Sequence, residues 1–142
     1  MSCVYLSRKI YFSCAHRYHN PEWSDQKNQE MFGPCNNPHG HGHNYELEVT
    51  LYGPVNTDTG MVMNLTDLDE ILKKKIMLPL DHRHLNHEVS YFEKRIPTTE
   101  QISLFCWKEI SESLKKPIQL HRVRLFENPE LYVDYYGEEL DT

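Results

Sequence analysis

Residues 41–51 alternate without a break. His41, His43, Tyr45, Leu47, Val49 and Leu51 fall on one side, and Gly42, Asn44, Glu46, Glu48 and Thr50 on the other. A period of two predicts a half-buried strand, with two histidines continuing its apolar face. Val4 to Arg17 predicts another strand, rich in Tyr5, Ile10, Tyr11 and Phe12. Its face of Ile10, Phe12, Cys14 and His16 also ends in an imidazole. Near the C-terminus, Gln119 to Glu127 carries a face of His121, Val123 and Leu125 that ends in Glu127. The turn Asn128-Pro129-Glu130 leads to a last strand over Leu131 to Tyr136.

Between the strand pairs the period lengthens. Leu68, Ile71, Leu72 and Ile76 form a helical stripe that starts at Asn64 or Thr66. Asp67, Asp69 and Glu70 sit early and Lys73 to Lys75 late, as the helix dipole prefers, and Pro79 is predicted to stop the helix. A second helix opens at Thr98, with Gln101 completing a capping box, and buries Ile102, Phe105, Cys106 and Ile110. It runs through to Leu114, and Pro117 is predicted to end it. His19 to Phe32 is polar and reads as a long excursion between strands. Gly33-Pro34 and Asn37-Pro38 keep the following segment irregular. The order is ββααββ: an α+β fold with four strands and both helices on one face, in a single domain over residues 1–142. Such a sheet has two open edges, and pairing them between subunits would close a ring.

Composition narrows the function. The 142 residues are 39% hydrophobic and 25% charged, an ordinary soluble balance. A net charge of -6 argues against nucleic acid and anionic membranes as partners. There is no apolar run of about 18 residues to span a bilayer, and no charged segment followed by an apolar one at the start. A cytoplasmic protein is expected, with Cys3, Cys14, Cys35 and Cys106 as free thiols, since no C-x-x-C pair occurs.

Several polar residues stand where their burial needs a reason. Two inward imidazoles at H-x-H spacing are costly unless paired, and zinc is a suitable partner. Zinc needs at least a third ligand from elsewhere in the chain, and His16 can meet the pair if the two histidine strands are neighbours with these faces inward. Cys35 lies in the Gly/Pro/Asn loop beside this cluster, either as a structural thiol or as a thiolate stabilised by a nearby cation. Asp81-His82 reads either as the start of a turn or as a carboxylate orienting an imidazole for acid–base work, with His84 and His87 at the surface. Glu127 is either a solvated strand end or an acceptor for two parallel N–H groups, as on an amino-pyrimidinone ring.

Taken together, Phe12-Ser13-Cys14-Ala15-His16-Arg17, Cys35 through Tyr45, Gly60 through Leu65, Leu80-Asp81-His82, Pro97 through Glu100, and Glu127 resemble the 6-pyruvoyl-tetrahydropterin synthase family. The likeness spans about Ser7 to Glu138; Cys14 and His39 depart from it without removing a motif residue. It implies a T-fold, a four-stranded antiparallel sheet with two helices whose subunits form a barrel, stacked as a homohexamer of two trimers. His16, His41 and His43 would hold Zn2+, and Cys35, Asp81 and His82 would be catalytic. Glu127 would anchor a pterin, with Thr98, Thr99 and Glu100 lining the pocket. The implied reaction converts 7,8-dihydroneopterin triphosphate to 6-pyruvoyl-tetrahydropterin with loss of triphosphate, a lyase step in tetrahydrobiopterin biosynthesis. Arg8, Lys9 and Arg17 flank the His16 strand and are candidates for the triphosphate. Two alternatives stand beside this. One is a 6-carboxy-tetrahydropterin synthase of queuosine biosynthesis, whose gap between the cysteine and the histidine pair is shorter than the five residues between Cys35 and His41. The other is a zinc- and pterin-binding protein without catalysis.

Overall fold

The structure is a computed structural model that describes residues 1–141. Two 14-residue strands, β1 (Cys3–His16) and β2 (His41–Pro54), form its spine as one continuous antiparallel ladder. β4 (Gln119–Asn128) pairs antiparallel with β2, and β5 (Leu131–Tyr135) with β4. The four expected strands are therefore present and antiparallel. The expectation of a purely antiparallel four-stranded sheet needs correction, because β3 (Arg83–His84) adds a fifth strand. It runs parallel to β1 against Cys14 and Ala15, giving the order β3-β1-β2-β4-β5 in a mixed sheet. No hydrophobic alternation announces so short a strand; it exists because the preceding residues are fastened to β1.

The helices differ from expectation in three places. The polar excursion contains a helix, α1 (Asp25–Phe32), capped by Ser24 and buried only through Asn28. Next, α2 (Leu65–Leu72), capped by the Asn64 side chain, does not end before Pro79. It passes through a π-helical turn (Lys73–Met77) into α3 (Leu78–Leu80). The wider turn shifts the bonding offset, so a residue without an N–H is tolerated inside the run. A single turn, α4 (Leu85–Glu88), then leads to α5 (Thr99–Ser111). Thr98 Oγ1 caps α5 by accepting from the Gln101 N–H at 3.1 Å. The return bond of a capping box is missing, since Gln101 Oε1 is buried without a partner. α5 also stops six residues short of Pro117, which does not end it.

One sheet face carries the core. Phe12, Tyr45, Leu47, Val49, Leu51, Val123 and Leu125 pack against Leu68, Leu72, Ile76 and Leu80 and against Ile102, Cys106 and Ile110 of α5. The major helices therefore do lie on one face. His121 does not share it, contrary to the reading from alternation. The register of β2 on β4 slips between Thr50 and Leu51, and His121 turns to Tyr5, with ring centroids 4.6 Å apart. The bulge adds a residue and reverses the side-chain alternation beyond it.

The opposite face is polar and cross-linked. Arg124 makes two hydrogen bonds to Asp134, at 2.7 and 2.9 Å, and Arg122 reaches Glu48 at 2.6 Å. The bond from Arg124 holds the Asp134 carboxyl below the usual carboxylate range. A depressed carboxylate stabilises the fold above its unfolded pKa, and that stability is lost as pH falls through the folded value. The Asp134→Asn variant should therefore lose about 1 kcal/mol near neutral pH. The deficit should shrink below about pH 4, where an unfolded carboxyl protonates; urea denaturation of both proteins across pH checks this.

Candidate metal centre and its surroundings

The ladder aligns His16 with His41, Cys14 with His43 and Phe12 with Tyr45. His16 and His43 are thus diagonal neighbours on the core face, and all three imidazoles meet at one end of the sheet. Ring centroids are 4.7, 5.1 and 5.0 Å apart for the three pairs. One ring nitrogen from each lies within 4.8 Å of the others, and the Nε2 atoms of His16 and His41 are 3.1 Å apart. Tetrahedral bonds of about 2.05 Å would place ligand nitrogens about 3.3 Å apart, so the triangle suits one small divalent ion.

The chemistry of each nitrogen agrees with that fit. His16 is fully buried, and its Nδ1 lies 2.8 Å from the Pro97 carbonyl and 3.2 Å from the Tyr45 hydroxyl. A carbonyl only accepts, so Nδ1 carries the proton and Nε2 presents a lone pair. Burial, followed by the neighbouring His41 and His43, lowers the His16 pKa to about 4. Burial also lowers that of His41, with His43 the next cause. His43 Nε2 is buried without a hydrogen bond. Glu127 Oε1 approaches it to 3.4 Å, outside good hydrogen-bond geometry.

Around the triad the loops are tightly tied. Cys35 sits in a 3₁₀ turn, Gly33–Asn36, that starts at a glycine with φ of 55°. The Tyr18 N–H donates to the Cys35 carbonyl at 2.9 Å, and Asn36 Nδ2 returns a bond to the Tyr18 carbonyl at 2.8 Å. Arg17 Nε donates to the Asn36 carbonyl at 3.0 Å. Gly40 is required where it stands: φ is 75°, and a Cβ there would lie 2.8 Å from His84 Nε2 and 3.0 Å from the His16 carbonyl oxygen. The Pro97 bond to His16 brings the start of α5 alongside. Thr98 is occupied as the cap, while Thr99 is almost wholly buried and its hydroxyl completes no hydrogen bond. The Tyr18 phenol lies among these groups, its pKa raised by burial and then by the Glu127, Cys35 and Glu100 charges.

Asp81 and His82 are placed elsewhere. Asp81 Oδ1 accepts the Ser13 N–H at 2.9 Å, and Oδ2 lies 3.0 Å from His82 Nδ1. The Ser13 bond is the largest cause holding the Asp81 carboxyl below its usual range. His82 has φ of 59°, and its N–H donates to the Ser13 carbonyl at 2.6 Å. His82, but not Asp81, borders an open cavity of about 530 Å³ that is also lined by Ser13, Gly42, His43, Asn44, His84 and Glu88. The Ser13 and Asn44 side chains, bonded at 2.6 Å, belong to the sheet face opposite the core. One chain therefore gathers His16, His41, His43, Cys35, Thr99 and Glu127, and leaves Asp81 and His82 on the far side of β1. His84 is not a plain surface residue; it is half-buried and stacks on His87 at 4.3 Å.

Of the three cations proposed for phosphate, only Arg17 adjoins the triad in this chain. Arg8 stands opposite Val49 and forms a two-bond ion pair with Asp69, at 2.9 and 3.1 Å. It is eight residues up the strand from His16, about 26 Å at strand rise. Lys9 is 3.8 Å from Glu46. Tyr18 and Asn36 were not anticipated, because a lone aromatic or asparagine in a loop carries no periodic signal.

Comparison with known proteins follows the same lines. A family model described as 6-pyruvoyl tetrahydropterin synthase matches residues 5–138. The chain is 45% identical over 134 residues to the 6-pyruvoyl tetrahydrobiopterin synthase of Drosophila melanogaster, covering 94% of this chain and 80% of that protein. It is 42% identical over 133 residues to the Homo sapiens protein of the same name, covering 94% and 91%. The solved Caenorhabditis elegans 6-pyruvoyl tetrahydropterin synthase superposes with a TM-score of 0.92 at 35% identity, covering 97% of this chain and 98% of that one. By its match across nearly every element that builds the histidine cluster, the chain belongs to the 6-pyruvoyl tetrahydropterin synthase family.

Proposed function

We propose that the chain is a zinc-dependent 6-pyruvoyl-tetrahydropterin synthase of tetrahydrobiopterin biosynthesis, releasing triphosphate from 7,8-dihydroneopterin triphosphate. The observation that carries this reading is the three-histidine cluster on one strand-pair face, with Cys35 and Glu127 at its rim. His16, His41 and His43 would hold the zinc, which when bound polarises the substrate's side-chain hydroxyls and acidifies the adjoining C–H. Cys35 takes up the proton from that carbon, and its turn is fixed by the bonds from Tyr18 and Arg17. Glu127 accepts the two parallel N–H groups of the pterin ring, and Thr99 and Glu100 line the same pocket. Arg17 is the cation placed to meet phosphate within the chain, while Arg8 and Lys9 serve a neighbouring copy if they serve at all.

Asp81 and His82 face away from their own triad, which supports their delivery to the triad of another subunit. The part of the β1 edge that β3 leaves open and the free edge of β5 suit a ring of copies, and the family likeness supports two trimers stacked as a homohexamer. Among the described residues no helix is long and apolar enough to cross a membrane, in keeping with a cytoplasmic enzyme.

Incubation of zinc-loaded protein with the triphosphate, followed by mass spectrometry, tests the reading. A dicarbonyl three-carbon side chain with free triphosphate is expected. A carboxylated pterin with acetaldehyde would move the protein to the 6-carboxy branch, and no turnover would favour a binding protein. Chelation should abolish turnover, and added zinc should restore it. The Cys35→Ala variant should lose at least about 100-fold in kcat at unchanged zinc content. Loss of zinc together with activity would make the cysteine structural. In the metal-free protein, His16 is held neutral to about pH 4 while an unfolded imidazole protonates near 6.5. The unfolded chain binds more protons between those values, so metal-free stability should fall as pH drops from 6.5 to 4. Thermal unfolding across that range, with and without zinc, measures it.

A further inference from the structure

Tyr18 is not among the residues to which the family resemblance assigns a role, yet it occupies the middle of the site. Its ring lies 4.9 Å from that of His16 and 6.5 Å from that of His41, centroid to centroid. Phe32 supports it edge-on at 5.9 Å and stacks in turn on Trp23 at 5.8 Å. Its backbone is held on both sides by the turn bearing Cys35, through the 2.9 Å bond to the Cys35 carbonyl and the 2.8 Å bond from Asn36. The ring is thus fixed before any ligand arrives, which lowers the entropy cost of using it. At the start of α5, beside His16 through Pro97, Thr99 is buried and its hydroxyl has no hydrogen-bond partner. Buried hydroxyls without partners are costly, and a ligand with hydroxyls of its own is the natural remedy.

We propose that Tyr18 positions the substrate by hydrogen bonding to the hydroxylated three-carbon side chain, between the histidine cluster and Cys35. The inference rests on the pterin reading of the site. The side chain is the part of the substrate that must reach the cluster, whereas the ring is held at Glu127. A tyrosine hydroxyl can both donate and accept, which matches a polyol.

The test compares two ligands on the zinc-loaded protein by fluorescence titration: 7,8-dihydroneopterin, and 6-methyl-7,8-dihydropterin, which has no side-chain hydroxyls. In Tyr18→Phe, dihydroneopterin should bind roughly three- to tenfold more weakly, the range of one hydrogen bond. The methyl compound should bind as it does to the parent protein, and zinc content should stay the same. Equal weakening of both ligands would show that Tyr18 only shapes the wall, and no change in either would show no contact; both outcomes overturn the proposal. Parent protein that binds neither compound overturns the pterin reading, and this inference with it, whereas parent binding without a Tyr18→Phe difference overturns the inference alone.

Discussion

The pairing of β1 with β2 is the constraint on which the rest depends. Fourteen consecutive residue pairs, from Cys3 against Pro54 to His16 against His41, fix one register. A slip of one residue would send Leu47, Val49 and Leu51 to the polar face together with His41 and His43. The core and the histidine cluster are therefore specified by the same alternation. The hydrophobic energy that selects the register also places the imidazoles, so no separate device is needed to bring His16 to its partners. The last step, the choice of tautomer, comes from outside the sheet, through the Pro97 carbonyl ahead of α5.

That arrangement carries a cost in the fold. His43 Nε2, Thr99 Oγ1 and Gln101 Oε1 are buried without partners. Each such group costs about 1–3 kcal/mol in a folded protein. Their concentration around the cluster and the start of α5 marks the region as shaped for an occupant. Elsewhere Arg122 Nε is also without a partner, whereas Asn28 bonds the Asn20 N–H and carbonyl at 2.7 and 2.9 Å.

Much of this was legible because burial imposes a period. The alternation over His41 to Leu51 and the stripes Leu68-Leu72-Ile76 and Ile102-Cys106-Ile110 each have one buried side, and the sequence shows it. What escaped has no such period. α1 buries only Asn28, so a helix exists without an apolar stripe. β3 depends on Asp81 finding the Ser13 N–H, 68 positions away in sequence, and no local pattern encodes that. The bulge at His121 reverses the alternation within β4, so extending the pattern backwards from Val123 assigned the wrong face. At the site, the clustered histidines stood out as polar residues on apolar faces. Tyr18 did not, since an aromatic residue after a strand has nothing unusual about it.

The fastening of β1 on its outer side has a consequence for assembly. From Ser13 onward that edge is already taken: Asp81 and His82 bond both main-chain groups of Ser13, β3 pairs with Cys14 and Ala15, and Asn86 bonds the N–H and the carbonyl of Arg17, each at 2.8 Å. Any strand that adds to this edge is limited to the segment from Cys3 to Phe12. Strand pairing between copies must therefore stop at Phe12, four residues short of His16, and Asp81 and His82 lie beyond the last residue that could pair. Asp81, by closing the edge there, acts as a doorstop that ends strand pairing early and keeps the exposed His82 beside it out of the ladder, within reach of a neighbouring copy.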